Sequence, residues 1–217
     1  MTRARAAVLI SGRGSNMAAL VGAAADPAFP AEIAAVIANR DDAAGLADAA
    51  AAGVATHVVA SRGLERAAFE AALDARLRAI GAEIVCLAGF MRVLSAAFVE
   101  GWRDRLINIH PSLLPAFPGL DTHARALAAG VKLHGCTVHF VRAAVDDGPI
   151  IAQGAVPVLS DDTADSLAAR VLKVEHRVYP RALALVASGR ARVRGGRVVI
   201  APPAAESGDG VLIAPAG

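Results

Sequence analysis

The sequence predicts an α/β fold: a mostly parallel, twisted sheet with helices on both faces, followed by a C-terminal antiparallel β segment. Three observations carry this expectation. Short apolar runs alternate with alanine-rich stretches of helical length as far as His110. Those runs are apolar at nearly every position, as strands of a parallel sheet covered on both faces are. Beyond residue 130 the pattern turns to alternation, in HGCTVHFV and then GPIIAQGAVPV after a short turn. Alternation on either side of a turn suits an antiparallel pair.

Taken in order, AAVLI (6–10) reads as a buried strand and NMAALVGAAA (16–25) as a helix. AEIAAVIAN (31–39) is a second strand, AAGLADAAAAG (43–53) a helix stopped by Gly53, and THVVA (56–60) a third strand. LERAAFEAALDARLRAIG (64–81) is a long helix ending at Gly81. AEIVCLAGF (82–90) is a fourth strand, SAAFVEGW (95–102) a short helix and RLINIH (105–110) a fifth strand. The arrangement is Rossmann-like. Residues 161–189 read as a helix with Ser160 or Asp161 near its N-cap, kinked or divided by Pro180. ARVRGGRVVI (191–200) is a terminal hairpin turning at Gly195-Gly196.

The bulk numbers narrow the function. At 217 residues and 55% hydrophobic, the chain can bury a sizeable core in one large domain. A net charge of +2, unclustered, does not suggest a nucleic-acid surface. No segment approaches the ~20 consecutive apolar residues of a membrane-spanning helix. The apolar run near the N-terminus is too short for a signal peptide, so the cytoplasm is expected. Cys86 and Cys136 lie in no CxxC or metal cluster, and Cys86, within EIVCLAGF, is expected to be a buried reduced thiol. The segment 201–217, rich in Pro, Ala and Gly, is expected to be a flexible tail.

Two stretches carry chemistry. LISGRGSNMAAL joins the first strand to the first helix, and Gly12 and Gly14 allow a tight turn. Unpaired N–H groups at a helix start, with the helix dipole, favour an anion. Met17 replaces the third glycine of GxGxxG, and no Gly-Lys-Ser/Thr follows. A single phosphate therefore fits better than a dinucleotide. An ordinary glycine-rich turn fits the loop equally well.

The second stretch is LINIHPSLLPAFPG (106–119). Asn108 and His110 alternate along a strand end, so they project to one face. An amide can donate to a developing oxyanion, and an imidazole can supply a proton or a charge near neutral pH. A nearby carboxylate would favour the charged ring, and VDDGPI (145–150) offers Asp146 and Asp147. Pro111, Pro115 and Pro118 would stiffen the strand end. His110, His134 and His139 lack metal-ligand spacing, so no metal is expected. Leu167, Val171, Val174 and Val178 form an apolar helical stripe with Glu175 at its edge, where a carboxylate either snorkels to solvent or binds something polar, such as a ligand hydroxyl or amine.

LISGRGSN, LAGFMRVLS, LINIHPSLLPAFPG, HGCTVHFV, VDDGPII and VEHRVYP, in this order and spacing, resemble the phosphoribosylglycinamide formyltransferase family, folate-dependent enzymes of purine synthesis. The resemblance spans roughly residues 6–200 and implies a single formyltransferase catalytic domain over 1–200. It implies that Asn108, His110 and Asp146 are catalytic. It implies that Gly14, Ser15 and Asn16, with Leu172, Lys173, Val174 and Glu175, bind the ribosylglycinamide phosphate substrate. It implies folate contacts at Arg66, Met91, Arg92, Val93, Leu94, Asn108, Arg142, Ala143, Ala144, Val145 and Asp146. The co-substrate implied is 10-formyltetrahydrofolate, with no metal. The implied partners are small molecules only, with no nucleic acid and no membrane, and the chain is a monomer or homodimer. Asp147 departs from the Gly or Ala of many relatives, and SRGLER, which holds Arg66, is one residue shorter than in some. The alternative is a formyltetrahydrofolate hydrolase or another formyltransferase of the superfamily.

Overall fold

The structure, a computed structural model, describes residues 2–200 and 212–214. The chain forms two compact units, Met1–Asn108 and Ile109–Gly217. The fold is α/β.

In the first unit, β1 (Ala4–Ile10), α1 (Ser15–Ala24), β2 (Ala31–Ala38), α2 (Gly45–Ala51) and β3 (Thr56–Val58) alternate, followed by α3 (Arg66–Ala79), β4 (Ile84–Leu87), α4 (Ala96–Gly101) and the start of β5 (Leu106–His110). The strand order is β5-β4-β1-β2-β3, and every pair is parallel. Ala6 to Ile10 of β1 are fully buried, as expected for the central strand of a two-sided sheet. The chain moves outward from β1 to β3, returns through α3, and adds β4 on the other side of β1. With right-handed crossovers, that reversal puts α1 and α2 on one face and α3 and α4 on the other. It also makes the β1/β4 boundary the topological switch point, where open α/β sheets bind ligands beyond their carboxyl ends.

In the second unit, α5 (Thr122–Ala128) precedes β6 (Leu133–Phe140) and β7 (Ile150–Pro157), which pair antiparallel. The sequence predicts this pair but no α5. Two turns burying only Thr122 and Ala126 make too weak a periodicity to detect. The long helix α6 (Ala164–Ala187) packs on both strands. Gly154 on β7 makes room for it: a Cβ there would meet Val174 Cγ1 at 2.3 Å and Val178 Cγ2 at 2.7 Å. A hairpin of β8 (Ala191–Arg194) and β9 (Arg197–Ile200) follows, turning at Gly195-Gly196 with φ of 56° and 78°.

Two expectations for α6 are corrected. The helix is not divided at Pro180 but runs continuously through it. Leu167, Val171, Val174, Val178 and Ala182 are all buried along one stripe, and that packing outweighs the one lost backbone hydrogen bond. The N-cap is Thr163 rather than Ser160 or Asp161, and it forms a capping box with Ser166. Asp162 instead binds Arg170, with Arg170 Nη1 2.7 Å from Oδ2. Of the stretch from Ala201, only Leu212–Ala214 lies among the described residues, as β10 pairing antiparallel with β7. The rest of the expected tail lies outside them.

Candidate active site

At the switch point of the first unit, Ser11, Gly12, Arg13, Gly14, Ser15 and Asn16 line a cavity of about 260 Å³ with Ala88, Gly89 and Met91. These are the turns that leave β1 and β4. Gly14 is the N-cap of α1, at φ 74°, and offers no side chain to cap the helix. No acidic residue stands in the first turn. The start of α1 thus keeps the positive field that attracts an anion. α2 braces the loop from behind: Gly45 N–H donates to Gly12 O at 3.1 Å. A Cβ on Gly45 would meet Ile10 Cδ1 at 2.9 Å and Arg13 O at 3.1 Å, so the loop depends on a glycine in another element.

The stretch after β4 is tethered at both ends. Met91 N–H donates to Ser11 Oγ at 2.8 Å. Ser95 N–H donates to Glu70 Oε1 at 2.7 Å, and Ser95 Oγ caps α4 by accepting from Phe98 N–H. Between the tethers, Met91 and Val93 are exposed while Leu94 turns into the core. The Arg92 guanidinium lies 6.0 Å from the Phe69 ring centroid on α3. Arg66 is the exposed first residue of that helix.

Asn108 and His110 occupy alternate positions of β5, with Asn108 paired to Leu87 of β4. His110 is 6% exposed. In the second unit its ring meets two oxygens. Nε2 is 3.0 Å from Phe117 O, and Nδ1 is 3.3 Å from Asp146 Oδ2. Both oxygens can only accept, so each ring nitrogen faces an acceptor. Asp146 sits in the left-handed region at φ 53°, which a non-glycine residue adopts only where its surroundings hold it. Its Oδ2 also accepts Gly119 N–H at 2.9 Å, and its Oδ1 is 3.8 Å from His139 Nε2. Arg142 is half-buried, Ala143 to Val145 form an exposed turn ahead of the acid, and Asp147 is exposed.

The loop after His110 is held by more than its prolines. Thr137 Oγ1 on β6 accepts Leu114 N–H at 3.0 Å and donates to Ser112 O at 2.7 Å. Gln153 Nε2 on β7 donates to Leu114 O and to Thr137 Oγ1, both at 2.9 Å. The stiffness expected from the prolines is therefore shared with two strands.

On α6, Leu172 is half-buried, Lys173 exposed, and Val174 and Glu175 buried. Val174 packs towards Gly154. The negative charge of Glu175 adds to burial in pushing the Cys136 thiol far up, so that cysteine is an inert core residue.

The sequence reading missed Arg13 in the cavity wall, the Gly119 donor and His139. Arg13 stands inside SGRGSN and was legible there. His139 and Gly119 reach Asp146 only through the fold, and no local pattern announces them.

The fold and these two clusters mark a group-transfer enzyme, and the chain belongs to the formyl transferase family, which it matches over residues 4–183. It is 45% identical over 187 residues to phosphoribosylglycinamide formyltransferase of Escherichia coli (strain K12), covering 86% of this chain and 88% of that one. It is 50% identical over 198 residues to the trifunctional purine biosynthetic protein adenosine-3 of Bos taurus, of which it spans only 20%. The crystal structure of glycinamide ribonucleotide transformylase 1 from Symbiobacterium toebii superimposes with a TM-score of 0.88 at 49% identity, covering 91% of this chain and 94% of that one. Among the described residues no helix is long and apolar enough to cross a membrane.

Proposed function

We propose that this chain transfers the formyl group of 10-formyltetrahydrofolate to the amine of 5-phosphoribosylglycinamide, giving formylglycinamide ribonucleotide and tetrahydrofolate. The reaction runs in the cytoplasm, on small-molecule substrates and without a metal, in a monomer or homodimer. The observation that carries the reading is the buried His110 ring between two acceptor oxygens, Phe117 O and Asp146 Oδ2.

In this reading the neutral amine attacks the formyl carbon on folate N10. The carbonyl oxygen becomes an oxyanion, which the Asn108 amide and the His110 imidazolium stabilise by hydrogen bonding and charge. Asp146 supports that imidazolium with its own charge. As the tetrahedral intermediate collapses, the C–N10 bond breaks, N10 takes a proton from His110 or a water, and the proton shed by the attacking amine replaces it. Burial of the ring and its two acceptors mean that little reorganisation is needed at each turnover.

Gly14, Ser15 and Asn16 bind the substrate phosphate at the α1 N-terminus, and Leu172 to Glu175 contact the rest of that substrate. Arg66, Met91 to Leu94, Asn108 and Arg142 to Asp146 contact the folate. Met91 and Val93 are 71% and 66% exposed, and exposed apolar side chains on one short stretch suit an apolar ligand.

A spectrophotometric assay with a 10-formyl folate and glycinamide ribonucleotide tests the proposal. Deformylated folate is expected only when the amine substrate is present. Release with water alone would make the chain a hydrolase instead.

A further inference from the structure

We propose that His139 is a positioning residue for this chemistry: it occupies the Oδ1 side of Asp146, leaving Oδ2 and the charge of the carboxylate to His110. The inference rests on the reading of His110 and Asp146 given above.

The two oxygens of Asp146 are divided. Oδ2 faces His110 Nδ1 at 3.3 Å and accepts Gly119 N–H. Oδ1 faces His139 Nε2 at 3.8 Å, too far for a direct hydrogen bond. The His139 side chain is only 3% exposed and that of Asp146 10%, so the ring fills space beside that oxygen that water would otherwise take. A carboxylate solvated on one side would spend part of its field on water. Walled off, it acts on His110.

The wall serves this purpose only if it is neutral. His139 Nδ1 lies 3.1 Å from Phe140 O, and a carbonyl can only accept, so Nδ1 carries the proton. A second proton on Nε2 would make His139 a rival of His110 for one carboxylate. The groups facing the ring are Asp146, His110 and Arg142. Burial pushes His139 below the ordinary histidine range, against the opposing pull of the Phe140 carbonyl and of Asp146, while His110 and Arg142 add to the downward push. The ring is therefore held in its neutral form, and His139 does not compete as a cation for Asp146.

The backbone is built to hold this spacing. Thr137 and His139 alternate on β6 and so share a face. Thr137 anchors the loop after His110, and His139 meets the acid. At this step the β6–β7 ladder slips by one residue, with Val138 opposite Ala152 but His139 opposite Ile150. Such irregularities redirect a strand beside functional sites. Two residues beyond Asp146, the chain returns to β6 at Gly148. A Cβ there would meet Phe140 O at 1.6 Å and His139 Nδ1 at 3.1 Å. Only a glycine lets the acid-bearing turn approach this closely.

The test uses the full chain, with His139→Ala to open the wall and His139→Gln to refill it with a neutral group. His139→Ala is expected to lower kcat about tenfold or more, with KM for both substrates within about twofold. The alkaline limb of its pH–kcat profile moves to lower pH, because His110 loses part of its support. His139→Gln restores most of that limb. An unchanged alkaline limb in His139→Ala overturns the proposal. A second measurement needs neither a variant nor a substrate. In ¹⁵N spectra of the imidazole rings of the wild-type chain at pH 7, His139 is expected to carry its proton on Nδ1 with Nε2 bare, and a protonated Nε2 overturns the proposal. A wild-type chain that fails to formylate the amine, yet shows the expected His139 tautomer, would count against the functional reading and not against this one.

Discussion

His110 Nδ1 and Asp146 Oδ2 stand 3.3 Å apart, on side chains only 7% and 10% exposed. The pair joins a strand end to a turn thirty-six positions later in the sequence. The acid is held in a left-handed conformation with its Oδ2 fixed by the Gly119 N–H. A shielded pair of this kind acts with far less screening than one in water.

Removing either partner should therefore strike the chemical step. His110→Ala and Asp146→Asn are each expected to lower kcat by about 10²–10⁴-fold, the span of general acid–base contributions. KM for both substrates should change little. Steady-state kinetics across pH 5–10 check this, and an Asp146→Asn enzyme with near-wild-type transfer throughout would remove the charge-support role.

Gly45 braces the glycine loop after β1 by packing and by its N–H bond to Gly12 O. In Gly45→Ala the new Cβ would press on Arg13 O at 3.1 Å and Gly14 Cα at 3.2 Å. The expected result is a KM for the phosphate-bearing substrate raised about tenfold, or about 1.4 kcal/mol, with the folate KM unchanged. Separate titrations of the two substrates distinguish this from general damage.

Thr137 is fully buried, and its hydroxyl links Leu114 N–H, Ser112 O and Gln153 Nε2. Thr137→Val keeps the shape but strands those groups. A loss of about 1–3 kcal/mol is expected, read as a lower urea midpoint. If the midpoint is unchanged, the loop is not held by this hydroxyl.

His134 is 1% exposed, and among the described residues neither ring nitrogen has a partner of good hydrogen-bond geometry. Burial, with the charge of His123 adding to it, pushes His134 down to about 4, despite a small opposing effect of the Pro111 carbonyl and with a further push from His110. Its folded value lies below its unfolded one. In the window between about 6.5 and about 4 the unfolded chain binds the extra proton more readily. Stability is thus fully present above that window and is lost as the pH falls through it. His134→Phe keeps a ring against Phe117 and His123, whose centroids lie 5.9 Å and 5.1 Å away, but cannot titrate. Its urea midpoint should fall less between pH 7 and pH 4.5 than that of the wild type. Parallel slopes would show that the acid sensitivity lies elsewhere.

Much of the fold was legible in the sequence because parallel strands buried on both faces must be apolar throughout. β1, β2 and β4 are largely such runs, and Gly53 and Gly81 mark where helices stop. The antiparallel β6–β7 pair and the Gly195-Gly196 turn were equally open to reading. The short helix α5 was hidden because its two turns bury too little to set a period. The passage of α6 through Pro180 was hidden because local propensity argued for a break, whereas a long buried stripe decided the outcome.

By itself the sequence determined which residue types could do chemistry and where the chain would stop to present them. Gly12 to Asn16 at a strand-to-helix turn, and Asn108 with His110 on alternate positions of one strand, follow from local geometry alone. Tertiary structure decided what those groups face. The cavity wall from Ala88 to Met91, the Gly45 brace, the Thr137 and Gln153 anchors, and the placement of Asp146 between His110 and His139 are contacts between residues far apart in the chain. No local period records them, because a hydrogen bond or a walled-off carboxylate oxygen depends on distance in space.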